Sequence, residues 1–248
     1  MLKSGTHSLS AILEDKYKSG HEIDIRRLAA NAVPFLNKEL TIEDQIKFIR
    51  ERDRKLWLEM ESSHLLSHSL SILINEFPKS KFILTIRDCY SWMNSFMNHH
   101  LSHDSADFWW KLRRDYFRAD HFQHTAEEQV LLDRGLYTVN GYFSYWTDYN
   151  RSILDTVPEE RLLVIRTDRI GDNLQNIADF LGICASTLNY SKSHAFKARK
   201  RYDPIWEIDR EFLESKVDEY CSDLMQRYFP EVKSLEDAVV KHRVEPVN

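Results

Sequence analysis

Glycine and proline are scarce in this chain, six of each in 248 residues, and neither clusters. That excludes a collagen-like or low-complexity chain and leaves no stretch with the composition of a flexible linker. One domain over residues 1–248 is the expected organisation. Cysteine is scarcer still. Cys89, Cys184 and Cys221 are odd in number, far apart and without CxxC spacing, which argues against a disulfide framework or a zinc site and fits a reducing, cytoplasmic home. No apolar run approaches a membrane span, and the chain turns polar after Lys3, so no signal-peptide core is expected. Positive charge is not in excess. A net charge of -5 argues against a nucleic-acid partner, and any anion site must be local. The histidines are many but irregular: His99, His100, His103, His121 and His124 show no HExxH pattern, so no metal is expected.

What is present is an alternation of apolar strands and amphipathic helices. Phe82 to Ile86 (FILTI) and Arg161 to Arg166 (RLLVIR) are continuous apolar runs, as in strands buried on both faces. Lys55 to Met60 (KLWLEM) reads as a shorter strand. Helices are expected over Ser8 to Lys18, from Thr41, over Ser67 to Phe77 with Pro78 as its stop, and over Tyr90 to Met97. Others are expected over Tyr137 to Asp155, Leu174 to Leu181 before Gly182, and Phe212 to Tyr228. Such alternation predicts an α/β fold, three layers with a central parallel sheet. Ligands of such sheets sit beyond the carboxyl ends of the strands.

Two segments have anion-binding character. Lys3-Ser4-Gly5-Thr6-His7-Ser8 precedes a helix, whose start offers N–H groups and a positive dipole end. Gly5 permits close backbone approach, the hydroxyls add donors, and Lys3 adds charge. The order GxxxxGK[ST] is absent, so magnesium-dependent nucleotide triphosphate chemistry, as in a P-loop kinase, is not indicated. The second segment ends the FILTI run with Arg87 and carries Ser95 two helical turns on. An arginine and a serine so placed can grip a phosphate through charge-assisted bonds. The plain alternatives are an ordinary helix cap for the first and an Arg87–Asp88 pair for the second.

Together, in this order, the segments resemble the two nucleotide-binding elements of sulfotransferases that use PAPS (3'-phosphoadenosine 5'-phosphosulfate). KSGT (Lys3 to Thr6) resembles the family's 5'-phosphosulfate loop, and Arg87 with Ser95 its 3'-phosphate element, with Cys89 in place of the usual proline. ERLLVIRTDRI (Glu160 to Ile170) and DFLGI (Asp179 to Ile183) resemble its later strand and helix. The resemblance implies the P-loop-like sulfotransferase fold, PAPS as donor with PAP as product, and no metal. It implies that Lys3 supports the leaving group and that Lys3 through Ser8 hold the 5' end, while Arg87 and Ser95 hold the 3'-phosphate. In the basic run Lys197 to Arg201, Lys200 and Arg201 are the preferred further contacts. His7 and Ser8 stand where many relatives have threonine and a tryptophan that stacks on adenine. A strand normally feeds this loop. With only Met1 and Leu2 ahead of Lys3, that first strand is expected to be truncated or reduced.

Sulfuryl transfer needs a proton acceptor, and histidine suits that near neutral pH. His64, in Ser62-Ser63-His64-Leu65, resembles the catalytic histidine of cytosolic relatives. Glu22, after Lys18-Ser19-Gly20-His21, stands where carbohydrate sulfotransferases place a glutamate base. His64, Glu22 and, behind them, His21 remain alternatives at this level. Residues 98–136, rich in aromatics such as Trp109, Trp110 and Phe117, are expected to form a helical insertion or lid on the acceptor side. Asp104, Asp107 and Asp115 would permit a cationic acceptor there. The expected activity is transfer to a hydroxyl or amine of a small-molecule or carbohydrate acceptor. A nucleotide-binding relative with weak or no catalysis is the alternative. The sequence does not give the oligomeric state.

Overall fold

The structure, a computed structural model, describes residues 1–102, 107–193 and 201–238. Its elements follow in chain order as α1 (Thr6–Ala11), β1 (Ser19–His21), α2 (Ile25–Leu36), α3 (Ile42–Leu56), β2 (Met60–Ser62), α4 (Leu70–Glu76) and β3 (Phe82–Ile86). Then come α5 (Cys89–Ser102), α6 (Asp107–Tyr116), α7 (Gln129–Asp133), α8 (Val139–Thr156), β4 (Leu162–Arg166), α9 (Leu174–Leu181), α10 (Arg210–Tyr220) and α11 (Ser222–Tyr228). The fold is α/β with parallel strands. Among the described residues the strands form two separate two-stranded parallel sheets and not the one central sheet expected from the sequence: β1 beside β2, and β3 beside β4 with Phe82 opposite Leu162 through Ile86 opposite Arg166. No helix among the described residues is long and apolar enough to cross a membrane.

The chain divides into two compact units. The first comprises Met1–Ile86 and Arg151–Lys197, the second Arg87–Asn150 and Ala198–Asn248. In the first, α1 and the turn that follows it form the wedge. Leu9, Ile12 and Leu13 are buried with Ile165, Ile170, Ile177, Ala178 and Leu188, and Met60, Ile83 and Leu163 pack on that cluster. Burial of each such leucine or isoleucine stabilises by about 1.5–3 kcal/mol. In the second, α5 and α8 share an aromatic core. Phe117 sits 5.0 Å from Phe96 and 4.7 Å from Tyr142, centroid to centroid, and Tyr116 stacks on Tyr145. The aromatics at positions 116 and 117 thus pack inward, while Trp110 is half exposed.

Several boundaries depart from the sequence reading, each for a local reason. α1 ends at Ala11 because the Ile12 carbonyl accepts the Asn189 N–H at 2.8 Å. KLWLEM is not a strand. Thr41 and Asp44 form a reciprocal capping box that starts α3, Arg54 and Lys55 suit its negative end, and Trp57 closes it in left-handed conformation. The strand begins at Met60. The last helix is two, because the Tyr220 carbonyl accepts the Thr147 hydroxyl at 2.8 Å and the chain turns at Cys221. α2 starts behind Asp24, an N-cap residue by type whose side chain makes no cap bond here.

Candidate active site

The KSGT loop is stapled to three strand ends of the first unit. The Ser62 hydroxyl, at the end of β2, donates to the Thr6 carbonyl at 2.9 Å. The Thr167 hydroxyl, just past β4, lies 2.6 Å from the Ser4 carbonyl and 3.1 Å from that of Ile86, the last residue of β3. Ser4 is buried. Its hydroxyl donates to the Met1 carbonyl at 2.7 Å and lies 3.5 Å from that of Thr85. Ser8 is buried, Lys3 and Thr6 are half-buried, and His7 is exposed. The loop therefore sits where open parallel sheets place ligands.

Gly5 is dictated by geometry. Its φ of 90° is left-handed, and an added Cβ would stand 2.9 Å from both Ile170 Cδ1 and Thr167 Cγ2. Lys3 is also left-handed, with φ 63°. No side chain caps the start of α1. Alternating backbone of this kind, opening on an uncapped helix start, is a geometry that can receive an anion.

The structure joins the two rival bases. β1 and β2 run parallel, with His21 opposite Ser62, and the Glu22 N–H extends the ladder to the Ser62 carbonyl at 2.9 Å. Glu22 and His64 thus emerge side by side at carboxyl ends. Glu22 Oε1 lies 2.6 Å from His64 Nδ1. The imidazole is fully buried and the carboxylate side chain 23% exposed. Burial pushes the Glu22 carboxyl up. The His64 hydrogen bond and the charges of His64 and His21 outweigh that, and the carboxyl rests below its ordinary value. A carboxylate accepts only, so the neutral imidazole carries its proton on Nδ1 and Nε2 is its basic nitrogen. His21 rests edge-on against His7, centroids 5.1 Å apart. Its own pKa is held down by burial against the opposing pull of Glu22.

In the second unit, Arg87 is half-buried and its Nε donates to Ser91 Oγ at 2.9 Å. Ser91 donates onward to Asp88, whose other oxygen caps α5 by accepting the Ser91 N–H at 2.8 Å. Trp146 Nε1 holds the Arg87 carbonyl at 3.0 Å. Ser95, one turn beyond Ser91, is half-buried. Ser91 escaped the sequence reading, although it lies four residues after Arg87 and shares a face of α5 with Ser95, four residues on. One turn further, Asn98 Oδ1 accepts the N–H groups of Tyr202 and Asp203 at 2.5 and 3.0 Å, and Asn94 donates to Asp203 at 2.8 Å. These bonds tie the segment after Arg201 to α5. Lys200, like Lys197, His103 and Asp104, lies outside the described residues. No group of three or more His, Cys, Asp or Glu able to hold a metal occurs among the described residues.

A family model described as a sulfotransferase domain matches residues 1–198. No curated protein matches the chain.

Proposed function

The chain belongs to the sulfotransferase domain family and is a sulfotransferase. On that premise we propose that its donor is PAPS and its acceptor a hydroxyl or amine of a small molecule or carbohydrate. The observation that carries the proposal is the Glu22–His64 contact beside the KSGT cradle, both at carboxyl ends of strands in one compact unit.

The cradle suits the donor's charged end. At the left-handed Gly5, where a Cβ would crowd Thr167 and Ile170, the loop lies close against those side chains, and the uncapped helix start accepts negative charge. Residues Lys3 to Ser8 would hold the 5' end and Arg87, Ser91 and Ser95 the 3'-phosphate, with Arg201 as a further contact. When bound, PAPS supplies the sulfuryl group and a stable leaving group for an in-line displacement.

The protein's own part is positional and electrostatic. Lys3 brings a cation to the cradle, where negative charge builds. His64 Nε2 accepts the acceptor's proton. The imidazolium so formed is stabilised by Glu22, which also fixes the ring and the tautomer, as a carboxylate behind a catalytic histidine does. The two candidate bases act as one unit on this reading, with His64 taking the proton and Glu22 orienting it.

The test is mass spectrometry of alcohols, phenols, amines and sugars incubated with PAPS. A gain of one sulfuryl group on an acceptor supports the proposal. PAP binding with no acceptor modified across the panel favours a binding protein with weak or no catalysis instead.

A further inference from the structure

Arg52 is a charged side chain where α3 would ordinarily carry a hydrophobe. The buried stripe of α3 is Gln45, Ile49 and Arg52. Arg52 is 4% exposed, and its guanidinium forks onto both carboxylate oxygens of Glu61, the middle residue of β2. Nη2 of the same fork donates to the Ile23 carbonyl at 2.6 Å. Buried ion pairs are weak contributors to stability, and apolar replacements of similar volume are often as good. Stability alone does not account for this one.

The points the fork touches do. Glu61 stands opposite Gly20 and one residue before Ser62, whose carbonyl receives the Glu22 N–H. Ile23 is the centre of the turn that leaves β1. On either side of it, Glu22 and Asp24 are both left-handed, each with φ 51°. Non-glycine residues keep such backbone only where their surroundings over-determine it. One guanidinium thus grips β2 and the turn that carries Glu22, while β2 leads within two residues to His64.

We propose that Arg52 is a positioning residue for the Glu22–His64 pair. By clamping the turn after β1 onto β2, it sets the Glu22 carboxylate at Nδ1 of His64. This rests on reading that pair as the proton acceptor. His21, at the end of β1, and His68, on the turn of His64, are the other titratable groups that feel the His64 charge, so their signals must be assigned separately.

The test is Arg52→Lys, which keeps a cation but cannot fork. Imidazole nitrogen NMR across pH reads the tautomer and titration midpoint of His64, and steady-state kinetics read turnover. The wild type should hold the Nδ1–H tautomer. In Arg52→Lys the tautomers should mix and the midpoint should fall by about one pH unit as the carboxylate withdraws. Turnover should drop roughly 10²-fold with the donor KM unchanged. A His64 spectrum identical to wild type overturns the proposal, even if the variant is less stable. Should Arg52→Lys fail to fold, Glu61→Gln weakens the fork with the side-chain shape kept, and the same shift, smaller, is expected; no shift again overturns it. If no acceptor is ever sulfated, the transfer reading fails while the NMR result still decides the role of Arg52.

Discussion

Glu22 and His64, 42 residues apart in sequence, meet at 2.6 Å because they leave adjacent parallel strands one and two residues past their ends. A pair that acts as a unit responds non-additively to mutation. His64→Ala should lower turnover by about 10²–10⁴-fold. Glu22→Gln should lower it less, and the double variant should be no slower than His64→Ala alone. Rate losses that multiply in the double variant would mean two independent roles.

The cradle makes a second prediction. Gly5→Ala must hold φ 90° with a methyl 2.9 Å from Thr167 and Ile170. It should destabilise the fold by about 1–3 kcal/mol and weaken nucleotide binding. Thr167→Val removes the hydroxyl shared by the Ser4 and Ile86 carbonyls and should cost about 1–3 kcal/mol. Chemical denaturation measures both, and a neutral Gly5→Ala would refute the close approach.

Arg87 should read the 3'-phosphate. Calorimetry of PAP against AMP should show the wild type preferring PAP. Arg87→Ala should lose roughly 10–10²-fold in PAP affinity with AMP unaffected. Ser91→Ala, which removes the partner of Arg87 Nε, should give a smaller loss with the same selectivity. Equal losses for both nucleotides would mean that Arg87 does not contact the 3'-phosphate.

Acid should destabilise the protein through two half-buried histidines, His68 and His100. Burial, aided by the His64 charge, pushes His68 down from 6.5 to about 4, and burial with the Arg113 charge does the same to His100. Between these values the unfolded chain binds a proton that the folded chain refuses. Their stabilising contribution is therefore complete above pH 6.5 and is lost as pH falls toward 4. For His68 the slope is at most about 1.4 kcal/mol per pH unit. Scanning calorimetry from pH 7 to 4 should show a falling Tm, and His68→Gln should fall less steeply. An unchanged slope in that variant would contradict the assignment.

Signals confined to a few neighbouring residues were legible in the sequence. The β-branched run FILTI became β3 with the same ends, Gly182 stops α9 in left-handed conformation, and Thr41 with Asp44 starts α3. The apolar run ending at Arg166 became β4. Signals that depend on strand register were not legible. Glu22 and His64 read as rivals because nothing local says that β1 and β2 are neighbours. Arg52 could have been noticed, since it closes the buried stripe Gln45, Ile49, Arg52, but its partners Glu61 and Ile23 belong to other elements. KLWLEM misled because an apolar alternation at a helix end mimics a strand, and only the cap at Trp57 separates them.

The most direct measurement is single-turnover transfer from PAPS to an acceptor found in the screen, for wild type and His64→Ala, with PAP affinity determined in parallel. One sulfated acceptor per PAP formed is expected from the wild type, and a rate at least about 10²-fold lower from His64→Ala with PAP affinity retained. Equal transfer rates in the two proteins would contradict this expectation.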